Sequence, residues 1–111
     1  MTAMNFTLEK LNNYQLFSIN EERLDAHNSS ALKDAILHVI EQGETQIIVQ
    51  LEKVRFIDSS GLGALLSGHK NAAAKAGKLV LVSIQPQVLS MFELTRLNHV
   101  FEIYADLTEI E

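Results

Sequence analysis

Apolar positions along the chain switch between two periods, and the switches mark its elements. From Phe6 to Leu11 they alternate, with Phe6, Leu8 and Lys10 on one face, which predicts a strand. Asn12-Asn13 is a turn pair that tolerates positive φ, and Tyr14 to Ile19 predicts a second strand, so the two form a hairpin. A polar connection, Asn20 to His27, is broken only by Leu24 and Ala26. A helical stripe follows: Leu32, Ala35, Ile36, Val39 and Ile40. Asn28 or Ser29 can cap its start, and Gly43 can take the left-handed position that ends it. Gln46 to Leu51 is β-branched and reads as a buried strand, after which Lys53 to Ile57 leads into a corner. Helical spacing resumes from about Ser60 to Ala76, with Leu62, Leu65, Leu66, His69, Ala73 and Ala76 on one face and Gly77 as the stop. Leu79 to Ile84 is a nearly unbroken apolar run, as in strands covered on both sides. Pro86 suits the first position of a third helix, with Val88, Met91, Phe92 and Thr95 facing inward. Val100 to Tyr104 predicts a last strand, and Asp106 a cap for a final turn through Ile110.

The order is therefore β-β-α-β-α-β-α-β. Strands alternating with helices imply crossover connections and a mainly parallel sheet, made mixed by the N-terminal hairpin. The expected fold is α/β: one domain over residues 1–111, with helices packed on that sheet.

Composition narrows the function. Apolar residues make up 47% of the 111 positions, enough for one core. The net charge of −5 argues against a nucleic-acid surface, and the scattered lysines and arginines against docking on anionic lipid. There is no cysteine, which excludes disulfides and thiolate chemistry. No stretch has the roughly 20 apolar residues of a membrane helix, and Met1 to Lys10 lacks the basic-then-apolar pattern of a signal peptide. A cytoplasmic globular domain is expected.

Candidate chemistry concentrates in Phe56-Ile57-Asp58-Ser59-Ser60-Gly61-Leu62-Gly63. An acid and two hydroxyls stand where a strand meets a helix, and such side chains cap helix N-termini. Gly61 and Gly63 keep bulk away, so that another surface can approach the backbone. Neither serine has the Gly-x-Ser-x-Gly elbow of a hydrolase nucleophile, and the four histidines, His27, His38, His69 and His99, fall in different elements. Gly61-Leu62-Gly63 begins like a dinucleotide fingerprint, but Leu66 occupies the third glycine position. Asp25 and His27 alone do not make a metal site. No cofactor or metal is expected. What remains is the chemistry of a substrate: a hydroxyl at a helix N-terminus is a favourable place for a phosphate. The residues themselves do not choose between Ser59 and Ser60, or between a phosphoacceptor and a simple cap.

Asp-Ser-Ser-Gly-Leu-Gly after an apolar strand resembles the phosphorylation loop of the anti-sigma-factor antagonists, the small bacterial members of the STAS domain family. Leu24-Asp25-Ala26 matches a run these proteins have before their first helix, with Glu22 where they carry glycine. Thr95-Arg96-Leu97 stands where they often have Thr-Gly-Leu; a left-handed Arg96 would cost about 1 kcal/mol relative to glycine. The resemblance implies that Ser59, the hydroxyl directly after the acid, accepts phosphate while Ser60 helps cap the helix, and that Asp25 lies close to the acceptor. The expected partner surface is Leu24, Asp25, His27, Asp58, Ser59, Ser60, Gly61, Leu62 and Gln85, because strand ends meet on one side of an open α/β sheet and the segments Leu24–His27, Asp58–Gly63 and Ile84–Gln87 converge there. The implied partners are an anti-sigma factor or serine kinase of the histidine-kinase-like ATPase fold and a PP2C-type phosphatase. The alternative within the same family is an accessory subunit of a transporter or signalling scaffold, with structural serines.

Overall fold

The computed structural model describes residues 4–110; the start of the Met1–Lys10 stretch lies outside them. Strands β1 (Phe6–Leu11) and β2 (Tyr14–Ile19) form the antiparallel hairpin, turning at Asn12 with φ 55°. Strands β4 (Gln46–Gln50), β6 (Lys78–Val82) and β7 (Glu102–Tyr104) then add in parallel, in the order β1-β2-β4-β6-β7. The crossovers carry helices α1 (Ser29–Glu41), α2 (Ser59–Ala74) and α3 (Pro86–Leu94). This is the expected mixed, mostly parallel α/β fold. The strand expected to lead into the corner is only a dipeptide, and the strand it pairs with was not anticipated. The dipeptides β3 (Arg23–Leu24) and β5 (Phe56–Ile57) pair in parallel as a separate small sheet.

One sheet face carries the main core. Phe17, Ile47, Val49, Leu79 and Leu81 point into it and meet buried residues of all three helices, such as Leu32, Ile36, Leu65 and Phe92. The other face is a thinner layer. Leu16, Ile48, Val80 and Val82 are covered there by Tyr14, Tyr104, Leu107 and Ile110 rather than by a long helix. The apolar run of β6 is thus buried on both sides, by two unequal layers.

Four local expectations need correction. Helix α2 buries Gly61, Leu62, Ala64, Leu65, Gly68 and Ala72, whereas Ala73 and Ala76 are exposed. Its inner face is set by small residues: a methyl group at Gly68 would sit 2.8 Å from Leu79 Cδ1 and 3.0 Å from Ile36 Cγ2. The left-handed residue beyond α2 is Ala76, with φ 62°, not Gly77; Gly77 is required instead because a Cβ there would collide with the Thr45 backbone. Strand β6 stops at Val82, where Ser83 turns to φ 59°, short of Ile84. The last strand is confined to Glu102–Tyr104, since Leu97–His99 form a 3₁₀ turn and Val100 is exposed after it. Other expectations hold: Gly43 ends α1 with φ 96°, Arg96 is left-handed with φ 63°, and Asp106 caps the 3₁₀ turn Leu107–Glu109 by accepting from Thr108 N–H.

Candidate functional site

The small β3–β5 sheet sets the geometry of the corner. Leu24 and Ile57 are buried side by side in its register, and Asp58 N–H donates to the Leu24 carbonyl at 3.3 Å. Alternation then leaves Phe56 41% exposed on the opposite side. Asp58 stays extended and caps α2: its Oδ1 accepts from Ser60 N–H at 2.9 Å and Gly61 N–H at 3.1 Å. Ser59 is consequently the first helical residue. It is exposed, and its hydroxyl makes no hydrogen bond among the described residues. Ser60 is half-buried and contributes its backbone N–H to the cap, not its side chain, so the capping role expected of its hydroxyl belongs to Asp58.

Gly61 serves the inside of the corner. A Cβ there would lie 2.5 Å from the Leu24 carbonyl oxygen and 2.8 Å from Ile57 Cγ1. Its missing side chain lets α2 close onto β3 and β5, rather than admitting an outside surface. Gly63 has open space around it and faces solvent. Leu24, Gly61 and Leu62 are all buried; they support the corner from beneath.

Asp25 is built differently. Its carboxylate accepts from His27 N–H at 3.0 Å and from Arg23 Nε at 3.2 Å. The His27 N–H chiefly holds this carboxyl below its ordinary pKa; burial opposes it, and the Arg23 guanidinium adds a further lowering. Asn28 locks the same turn, accepting from Asp25 N–H and donating to the Arg23 carbonyl at 2.8 Å. Neither the Asn28 nor the Ser29 side chain caps α1. Asp25 and the exposed His27 line an open depression with Asn20, Glu21, Glu22 and Asn28, whereas Ser59 lines another. Arg23 bridges the two, with its guanidinium 4.1 Å from the centre of the Phe56 ring.

The depression at Ser59 has a volume of about 330 Å³ and is lined by Arg55, Phe56, Ile57, Asp58, Ser59, Gln87 and Met91. Gln85 is not among them. It braces the loop, donating to the Glu52 carbonyl at 2.6 Å and accepting from Gln87 Nε2 at 2.8 Å, so Gln87 is the residue delivered to the site. Sequence reasoning missed Arg55 and Met91 as site residues, and it named Phe56 and Gln87 only as parts of the candidate segments, not as residues of the partner surface. The available signal was a phenylalanine in a strand too short to bury both faces. His69 packs against Phe101 with ring centres 5.3 Å apart, far along α2 from the corner.

Among the described residues no helix is long and apolar enough to cross a membrane. The family model of the STAS domain matches residues 5–110. An anti-sigma F factor antagonist from Lysinibacillus sphaericus is 32% identical over 96 residues, covering 86% of this chain and 82% of its own. One from Paenibacillus polymyxa is 29% identical over 93 residues, covering 79% and 80%. The phosphorylated form of SpoIIAA, a Bacillus cell fate determinant, superposes with a TM-score of 0.73 at 28% identity over 95% of both chains. The unphosphorylated form, described as an anti-sigma factor antagonist, gives 0.72 at 27% identity, covering 95% of this chain and 91% of its own. A match over nearly the whole chain, joined to this fold and this corner, places the protein in the STAS-domain family of anti-sigma-factor antagonists.

Proposed function

We propose that the chain is a phosphorylation-controlled binding module that works by partner switching. Unphosphorylated, it binds an anti-sigma factor or serine kinase of the histidine-kinase-like ATPase fold in the cytoplasm. The kinase transfers phosphate to Ser59: Oγ attacks the γ-phosphorus of ATP, the bond to the ADP oxygen breaks, and the hydroxyl proton passes to a base of the kinase. The modified chain is released, and a PP2C-type phosphatase restores the hydroxyl. The chain is the substrate in this cycle, not an enzyme, and needs no cofactor of its own.

The observation that carries this reading is the unengaged Ser59 hydroxyl at the first position of α2, left free because Asp58 does the capping. A phosphate there meets outward N–H groups and the positive end of the helix dipole, so the fold tolerates it. A partner would not. Phe56 and Met91 offer an apolar seat beside Ser59, of the kind that anchors an interface. Phosphate brings about −1.5 to −2 charges to the rim of that seat, on a chain already at −5. Desolvating such a group against an unmatched surface costs several kcal/mol, and about 1.4 kcal/mol is already tenfold in affinity. That SpoIIAA, at 27–28% identity, has been solved in both phosphorylation states supports the same reading.

The test is calorimetric binding of purified anti-sigma factor to the unmodified chain and to the chain with phosphoserine at position 59, with thermal melts of the same samples. Weaker binding of the phosphorylated form with an intact melt is expected. Equal affinities reject the switch; phosphate transferred to Ser60 instead rejects the assignment.

A further inference from the structure

The depression at Ser59 holds a cation with nothing to bind. Arg55 is exposed, and among the described residues no carboxylate lies within ion-pairing distance of it. Its position is nonetheless fixed, because its backbone N–H donates to the Glu22 carbonyl at 2.7 Å where β3 and β5 come together. The neighbouring charges Arg23, Asp25 and Asp58 are engaged, Asp58 through one oxygen. Arg23 holds Asp25 at 3.2 Å and lies over the Phe56 ring; the Asp58 carboxylate caps α2 through Oδ1. Helix α3 presents only the neutral Gln87 and Met91 to this depression. A free guanidinium therefore shares one small, largely apolar depression with one free hydroxyl.

Resting on the reading of Ser59 as the phosphoacceptor, we propose that Arg55 is the receptor for the phosphate, closing over it as a phosphoserine–arginine pair. The guanidinium presents a planar fork of N–H donors that matches two phosphate oxygens, and it is the fork itself, more than the charge, that gives the pair its geometry. The pair would span the depression and cover Phe56 and Met91. Phosphorylation then acts by occlusion as well as by charge: it withdraws the apolar seat and the Arg55 guanidinium in a single step. A partner carboxylate that uses Arg55 in the unphosphorylated complex would lose it to the phosphate.

The experiment needs no partner. Phosphoserine is installed genetically at position 59 of the full chain, and the phosphate is titrated by phosphorus NMR in the parent, Arg55→Gln, Arg23→Gln and Lys75→Gln, the last at the far end of α2. Pairing holds the second phosphate pKa below its usual value of about 6. Arg55→Gln is expected to raise the proton affinity of the phosphate by about twofold to fivefold, the range of a solvent-accessible ion pair. The other two variants should move it less. A change in Arg55→Gln no larger than that in Arg23→Gln or Lys75→Gln overturns the proposal. Thermal melts of each variant with and without phosphate give a second reading: the parent should gain more stability from phosphate than Arg55→Gln does, and equal gains overturn the pair. Since no partner is present, a failed switch leaves this result standing, and a failed pair leaves the switch standing.

Discussion

Asp25 and Asp58 each follow a two-residue strand, the two strands pair in parallel, and each acid stands ahead of a helix. Their surroundings nevertheless diverge. At Asp25 the carboxylate, the backbone N–H and the backbone carbonyl are all engaged, by His27, Arg23, Asn28 and Ser29, and the residue is only 8% exposed. At Asp58 the backbone N–H and carbonyl are engaged as well, by Leu24 and Leu62, but a single carboxylate oxygen takes two N–H groups, and among the described residues the neighbouring hydroxyls of Ser59 and Ser60 make no hydrogen bond. The spacing decides this. Three residues separate Asp25 from α1 and fold back on it, whereas Asp58 abuts α2 with none between. A saturated corner is a brace; an unsaturated one has groups to spare for a kinase, a phosphate or a partner.

The change with the largest expected effect removes the clamp joining the corners. Gly61→Ala would push a methyl group against the Leu24 carbonyl and Ile57, and overpacking of this kind costs about 1–3 kcal/mol. Gly63→Ala, two residues on, meets open space inside the same helix and should stabilise by about 0.5–1 kcal/mol. Urea unfolding of the two variants should therefore move in opposite directions. A neutral Gly61→Ala would mean that the corners are not clamped together.

Next in size is the cap. Asp58→Ala removes the acceptor of two N–H groups and should cost about 0.5–2 kcal/mol, measured by the same unfolding. If the serines were the true caps, Ser60→Ala would cost as much; on this geometry it costs far less.

Residue pattern made much of this visible, and it failed for identifiable reasons. The α1 stripe, the Gly43 stop, the strained Arg96 and the order of the sheet were legible because each rests on a local rule of spacing or backbone sterics. The phase of α2 was not. Its buried line runs through Gly61, Gly68 and Ala72, which a count of large apolar residues passes over, while the exposed Ala73 was scored as core. Strand β3 and its pairing with β5 escaped because two residues carry no period; only the tertiary pairing of Arg23–Leu24 with Phe56–Ile57 sets them apart as a second sheet. For the site, the acid–serine corner was legible, but its rim was not. Gln87 reaches it only because Gln85 is tied to the Glu52 carbonyl, a contact between residues 33 apart in the chain.

The Asp25 brace has a pH signature. The hydrogen bond from His27 N–H holds the Asp25 carboxyl below the ordinary value in the folded chain, so folding favours the charged form. That contribution is complete above the unfolded value, and it disappears as pH falls through the lower folded value. Asp25→Asn should therefore lose stability against the parent at neutral pH, with the gap closing below about pH 4 as the parent carboxyl protonates. Urea midpoints from about pH 6 to pH 2.5 would reveal it. A gap that is constant with pH would mean that the shape of the side chain, not its charge, holds the turn.

The smallest effect on stability is expected at Ser59 itself. Its hydroxyl is exposed and bonds nothing among the described residues, so Ser59→Ala removes no contact the fold depends on, and alanine is the better helix former. The melting curve should be unchanged within about 0.5 kcal/mol, as for exposed substitutions in general. The regulatory effect should be large and of one sign: with no oxygen to accept phosphate, the variant should hold the anti-sigma factor whether or not kinase and ATP are present. Ser59→Asp should bind more weakly than the parent but less weakly than the phosphorylated chain, since one carboxylate carries about half the charge of a phosphate and fewer acceptor oxygens. The comparison of the corners rests on this pairing of results. A side chain that the fold can lose without penalty, yet whose modification governs binding, is one kept for a partner; if Ser59→Ala melted markedly lower than the parent, Ser59 would be a brace like Asp25.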